Sequence, residues 1–294
     1  MSSHSKSPNS ESRPRVGIRD LLRWKEERKP FSVLTAYDAP TARILHEAGI
    51  PLLLIGDSVG NVMLGYRDTV PVTMEEMLHH CRAVRRGAPD AFLIGDLPFL
   101  SYQISADDAV RNAGAMVKDG GVDAVKLEGG AARIEVVTRI VEAGIPVMGH
   151  LGLTPQSATL LGGMRSQANH AERAKALVDD ARALEEAGVF SLVLECIPRE
   201  VAARVTETLG VPTVGIGAGP DCDGQVLVTQ DLLGFGGEFR PKFVRQYETI
   251  ETRMREAVSR FRSDVEERSY PNDDESFHMK ASQKRAFDES FDGE

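Results

Sequence analysis

The chain holds 294 residues, 41% hydrophobic and 27% charged. That is a soluble, globular composition with enough apolar material for a substantial core. Its 35 Lys and Arg against 44 Asp and Glu leave a net charge of −9, so nothing favours nucleic acid or an anionic membrane surface as a partner. The three cysteines, Cys81, Cys196 and Cys222, have no paired spacing, and no apolar run approaches the ~20 residues a bilayer span needs. A disulfide framework is excluded, no membrane partner is expected, and the expected location is cytoplasmic.

Residues 1–15 read as a Ser-rich, disordered leader that lacks the apolar stretch of a signal peptide. The first predicted strand is Phe31 to Ala36. A unit then recurs in which a helical stretch stops at Gly, the residue that best tolerates a left-handed cap, and enters a short aliphatic strand. Glu47-Ala48-Gly49 precedes Leu52 to Ile55, and Gly120-Gly121 precedes Ala124 to Leu127. Glu142-Ala143-Gly144 precedes Pro146 to Met148, Glu186-Ala187-Gly188 precedes Leu192 to Leu194, and Leu209-Gly210 precedes Thr213 to Ile216. Ala91 to Gly95 fits the same alternation, and an eighth strand is expected around Gln225 to Thr229.

Between the strands, Thr73 to Arg85 opens with a Thr cap and Glu76 three residues on, a capping-box pattern. Ser105 to Lys118 carries Asp107 and Asp108 at its positive end. Ala171 to Glu186 is a third helix. Beyond about Glu266 the chain turns polar and acidic, so residues 267–294 read as a solvated tail. With no Pro/Ser linker between, residues 16–266 read as one domain.

Strands alternating with helices predict a parallel sheet covered by helices, either an open sheet or a (β/α)8 TIM barrel. The polar residues decide between them. Asp57-Ser58, Asp96, Glu128, His150 and Glu195 each follow a predicted strand, and Thr35, Tyr37 and Asp38 close the first. In a barrel all these strand ends converge on one face; in an open sheet they spread along an edge. Convergence favours α/β architecture of the barrel type.

Each residue also has a bland alternative. An Asp after a strand is often a turn former or a helix cap. Lys126 and Glu128, two apart, share one face of their strand, and a Lys inside Ala124 to Leu127 needs a carboxylate or an anionic ligand, or is a plain structural pair. Glu195, between Leu194 and Cys196-Ile197, needs a partner or a raised pKa. His150, within the dense Gly149-to-Gln156 loop, either bonds a substrate or orients a neighbour. Gly215-Ile216-Gly217-Ala218-Gly219 lacks the downstream spacing of a dinucleotide loop and reads as a close-approach loop. Cys196 reads as a packed thiol. Three carboxylates without a Cys/His cluster suit a hard cation, Mg2+ before Mn2+ or Co2+.

Taken together, Thr35-Ala36-Tyr37-Asp38, Gly56-Asp57-Ser58, Asp96-Leu97-Pro98-Phe99, Val125-Lys126-Leu127-Glu128-Gly129-Gly130, the stretch Gly149 to Ser157, Leu194-Glu195 and Gly215 to Gly219 resemble the ketopantoate hydroxymethyltransferase family, in its order and from about Val16 to Phe277. The resemblance implies a barrel of the phosphoenolpyruvate/pyruvate superfamily with an N-terminal helix, assembled as a homo-oligomer, a decamer. It implies Mg2+ on Asp57, Asp96 and Glu128, a 2-oxo acid held by Asp57, Ser58, Asp96 and Lys126, and Glu195 as the base. The co-substrate would be 5,10-methylenetetrahydrofolate, with His150 and Tyr37 as accessory residues. The chain departs from the family pattern at Met164 to Asn169, which puts the folate contacts in question. Two other readings stay open: a carbon–carbon lyase of the same superfamily, which wants a reactive Cys on a mobile loop, and a non-catalytic small-molecule-binding barrel.

Overall fold

Eight short strands pair in parallel and in sequence order, and the eighth returns to the first to close a barrel. The computed structural model describes residues 15–236 and 240–291. In chain order the elements are α1 (Ile18–Glu26), β1 (Phe31–Thr35), α2 (Ala39–Glu47), β2 (Leu52–Ile55), α3 (Val59–Val62), α4 (Met74–Gly87), β3 (Phe92–Asp96), α5 (Ala106–Lys118), β4 (Ala124–Lys126) and α6 (Ile134–Glu142). They continue with β5 (Val147–Gly152), α7 (Ala171–Glu186), β6 (Ser191–Glu195), α8 (Arg199–Thr208), β7 (Thr213–Ile216), β8 (Gly224–Leu227), α9 (Thr229–Leu233), α10 (Ile250–Glu266) and α11 (Ala281–Glu289). This is the (β/α)8 architecture that the alternation allowed and the polar strand ends favoured over an open sheet.

Side chains alternate across each strand, so every strand serves two cores. The inward positions, among them Phe31, Val33, Leu52, Leu54, Phe92, Ile94, Met148 and Val193, fill the barrel as one apolar cluster. The outward positions, such as Leu53, Leu93, Val125, Val147 and Leu192, pack under the helices as a second. Helix α1 plugs the N-terminal end of the barrel: Leu21 is fully buried in the inner cluster, and the Trp24 ring lies 5.8 Å from that of Phe31.

Local chemistry sets the helix ends. Thr73 accepts from Glu76 N, and the Glu76 carboxylate returns a bond to the Thr73 backbone, completing the predicted capping box. Ser105 caps α5 by accepting from Asp108 N. Gly49, Gly144 and Gly188 all have positive φ, as the recurring helix-stop unit requires.

Two strand ends and the tail differ most from expectation. Strand β5 runs on to Gly152, because Gly149 to Gly152 continue to pair with Leu192 to Glu195; His150 is therefore a strand residue and not a loop residue. Strand β8 stops at Leu227, and Thr229 opens α9. The polar tail is not featureless, since it forms α11, although every described residue from 267 onward is exposed. Of the leader, only Arg15 lies within the described residues, and its guanidinium pairs with Asp123. No helix among the described residues is long and apolar enough to cross a membrane.

Candidate active site

The inward series of several strands changes from apolar to ionisable at its C-terminal end. Phe92 and Ile94 are followed by Asp96, Ala124 by Lys126, Met148 by His150, and Val193 by Glu195. Strand periodicity therefore brings these groups into one place at the mouth of the barrel, together with Glu128 just beyond β4. They line a cavity of about 250 Å3 that also takes in Asp57 and Ser58. Asp57 reaches it from the loop after β2, where Gly56 leaves the space: a Cβ there would stand 3.5 Å from Asp96 Oδ2 and 2.6 Å from Ser58 Oγ.

The buried charges are held by each other. Lys126 Nζ stands 2.7 Å from Asp96 Oδ1, with both side chains almost wholly buried. Beyond this ion pair, Asp96 Oδ1 has no hydrogen-bond donor among the described residues. Asp96 Oδ2 accepts from the Asp57 amide at 3.2 Å. His150 Nδ1 lies 3.4 Å from both Lys126 Nζ and Glu128 Oε1, and its Nε2 lies 3.2 Å from Glu195 Oε2. Glu195 thus finds the partner its apolar neighbourhood demands, across the β5–β6 pair.

The electrostatics follow from too many carboxylates in too little water. Burial, followed by repulsion from Asp96 and Glu128, pushes the Asp57 carboxyl up to about 8. Burial raises Asp96 as well, against the pull of Lys126. Burial alone would discharge Lys126, but Asp96, Glu128 and Asp57 outweigh it and hold the ammonium charged. Burial and Lys126 both oppose protonation of His150, yet its bonds to Glu128 and Glu195 lift it to about 9. Among the described residues, no three His, Cys, Asp or Glu side chains close a metal shell by themselves.

Ser58 and Tyr37 share a hydrogen bond of 2.8 Å. Tyr37 is buried behind Ser58 and outside the cavity, so it acts on the site through that hydroxyl. The organising residue that sequence reading missed is Gln156. Its side-chain amide donates to Asp57 Oδ2 at 2.8 Å and to Leu97 O at 2.9 Å, and its backbone N–H donates to Glu128 Oε2 at 3.1 Å. Tyr102 donates to Gln156 Oε1 at 2.7 Å and accepts from the Glu128 amide at 3.2 Å. Gln156 lies in the dense Gly149-to-Gln156 loop, which was a signal; Tyr102, in a turn, carried none.

Two glycines make close approaches. A Cβ on Gly152, at φ +99, would stand 2.1 Å from Glu195 O, and one on Gly217 would stand 2.7 Å from the Phe243 ring. The loop from Gly215 is thus a close-approach loop, with its first two residues inside β7. Cys196 follows Glu195 with a left-handed φ of +49, and burial pushes its thiol up to about 12.

The family model described as ketopantoate hydroxymethyltransferase matches residues 15–273. The chain is 54% identical over 265 residues to the 3-methyl-2-oxobutanoate hydroxymethyltransferase of Moorella thermoacetica, covering 90% of this chain and 98% of that one. It is 50% identical over 266 residues to the enzyme of the same name from Syntrophomonas wolfei, covering 90% and 96%. Among solved structures, phosphonopyruvate hydrolase in complex with oxalate and Mg2+ superposes with a TM-score of 0.58 at 14% identity, covering 94% of this chain and 96% of that one. The 2,3-dimethylmalate lyase superposes with 0.57 at 18% identity, covering 93% and 98%. At that identity the likeness is one of fold. With a model matched over nearly the whole chain and relatives at half identity, this protein belongs to the ketopantoate hydroxymethyltransferase family.

Proposed function

We propose that the chain transfers a hydroxymethyl group to 3-methyl-2-oxobutanoate. It would convert that acid, 5,10-methylenetetrahydrofolate and water into 2-dehydropantoate (ketopantoate) and tetrahydrofolate, a step toward pantothenate and coenzyme A. The family supports the reaction. One structural observation carries it: a carboxylate on β6, Glu195, faces an acid-rich cradle of Asp57, Asp96, Lys126 and Glu128 on the β2–β4 side across a single small cavity.

The donor set suits a hard divalent cation. Three buried carboxylates crowd together with Lys126 as the one cation paired to Asp96, and burial followed by repulsion from Asp96 and Glu128 pushes the Asp57 carboxyl up to about 8. Asp57, Asp96 and Glu128 would hold Mg2+, with Mn2+ or Co2+ as substitutes. Bound there, the cation supplies positive charge to the oxygens of the oxo acid and stabilises the negative charge that develops on deprotonation.

The chain's own residues do the rest. Lys126 and Ser58 orient the acid's carboxylate. Glu195 removes the proton from C3. His150, 3.2 Å from the Glu195 carboxylate, fixes its direction. Val193, Ile216, Val226 and Phe243 keep water from the wall of the cavity, so that the C3 carbanion meets the one-carbon unit and not a proton. We further place the protein in the cytoplasm, in keeping with its three free cysteines. We expect a homo-oligomer, a decamer. Helix α10 supports this, since Met254, Val258, Phe261 and Val265 repeat every three or four residues and are all exposed.

The test is ketopantoate formation with and without chelator, combined with proton exchange at C3. Glu195→Gln should cut exchange by ~10^2- to 10^4-fold and leave oxo-acid binding intact. Full exchange in that variant would remove Glu195 as the base, and chelator-insensitive turnover would remove the cation.

A further inference from the structure

One carboxylate at the cavity wall has no role in the chemistry just described. Asp231, on α9, is half-buried, and among the described residues it makes no side-chain hydrogen bond or ion pair. Burial alone acts on it and raises its carboxyl. Helix α9 is held over the end of β1 by Thr229, whose amide donates to Thr35 Oγ1 at 3.1 Å and whose hydroxyl donates to Thr35 O at 2.5 Å. Asp231 is therefore fixed at the mouth and is not a wandering surface acid.

A second group on the same side is also unmatched. Thr69, in the segment after β2 and α3, lines the cavity at 5% exposure, and its buried Oγ1 has no partner. The exposed Asn61 lines the wall beside it, with its amide nitrogen engaged by Arg67 O at 2.9 Å. In the barrel order β8, β1 and β2 are neighbours, so Asp231, Asn61 and Thr69 occupy one sector. Asp96, Lys126, Glu128, His150 and Glu195 occupy the sector of β3 to β6. Phe243 packs on Gly217, just after β7, and Met164, on the loop after β5, is 66% exposed; both line the cavity.

We infer that the β8–β2 sector is the seat of the one-carbon donor, with Asp231 receiving the paired N–H groups of its fused pyrimidinone ring. That ring presents an N3–H beside a 2-amino group, two parallel donors that match a carboxylate's two oxygens. Thr69 supplies a hydroxyl toward the ring's polar edge, and Phe243 and Met164 flank the benzoyl portion. The donor's methylene would then face the oxo acid across the cavity. This rests on the folate-dependent reaction proposed above. It also gives a role to Met164, in the segment that departs from the family pattern.

Two measurements test it on the full-length protein: equilibrium binding of tetrahydrofolate, and C3 proton exchange of 3-methyl-2-oxobutanoate without folate. Asp231→Asn should weaken tetrahydrofolate binding ~10-fold or more while exchange stays within ~2-fold of the parent, which also shows that the variant folds. The unsubstituted protein should bind a 2-desamino tetrahydrofolate as weakly as the variant binds tetrahydrofolate, and the variant should not distinguish the two ligands. Unchanged tetrahydrofolate affinity in the variant overturns the inference, as does a parallel loss of exchange, which would place Asp231 with the oxo acid. A parent protein that binds tetrahydrofolate through Asp231 yet exchanges no C3 proton would support this seat and overturn the transfer reaction instead.

Discussion

At the scale of single residues, the site works because incompatible groups are forced to share one cavity. Asp57 is pushed up to about 8 by burial and by its acidic neighbours, so a proton and a cation compete for the same oxygens. Asp96→Asn replaces one oxygen of the neighbouring carboxylate with an amide nitrogen and leaves Lys126 with a weaker partner. Cation-dependent binding of the oxo acid should fall by ~10-fold or more, measured by calorimetry with and without Mg2+; undiminished binding would remove Asp96 from the ligand set. The thiols make the opposite point. Burial pushes Cys81 and Cys196 up to about 12, and Cys222 is raised and buried too. Burial disfavours the thiolate at all three, so the native protein should react slowly with a thiol reagent until it is unfolded, half-buried Cys196 first. Rapid labelling of the native protein would revive the lyase reading, which needs a reactive Cys. The four acids and Lys126 were legible because each interrupts or ends an apolar run. Thr69 and Asp231 were not, and Gln156 was marked only by its dense loop, since their roles depend on what faces them across the barrel.

At the scale of elements, strand alternation is the device that builds the site. A chain that places Phe92, Ile94 and Asp96 on one face of β3 has already aimed the carboxylate inward, and the same holds for Lys126, His150 and Glu195. The β5–β6 pair is the most exacting. His150 and Glu195 meet only because β5 runs past its predicted end to Gly152, whose φ of +99 and missing side chain let the backbone pass Glu195 O. Gly152→Ala sets a Cβ against that carbonyl and in a disfavoured backbone region. It should lower stability by ~1–3 kcal/mol and reduce kcat for C3 exchange more than it raises KM for the oxo acid. A variant with unaltered melting and exchange would show that this approach positions nothing. The extension of β5 escaped the sequence because Gly149 and Gly152 read as loop formers; tertiary pairing with Leu192 to Glu195 overrode that preference.

At the scale of the whole molecule, the barrel and its C-terminal extension obey different rules. The family match ends at residue 273, and every described residue from 267 onward is exposed. Removing residues 274–294, beyond the family match, should leave turnover, melting temperature and subunit number unchanged in a light-scattering measurement. A change in subunit number would mean that α11, with exposed Phe287 and Phe291, packs on a neighbouring copy. The amino-acid order alone determined the alternation of helix and strand, because period-2 and period-3.6 patterns and Gly stops are local properties. It also marked the acids that an apolar run would not otherwise tolerate. Only the closed barrel decided which of them meet. It set His150 between Glu128 and Glu195, brought Gln156 across to Asp57, and left Asp231 and Thr69 without a side-chain partner among the described residues. Those relations join residues far apart in the chain, and they exist only once β8 has paired with β1.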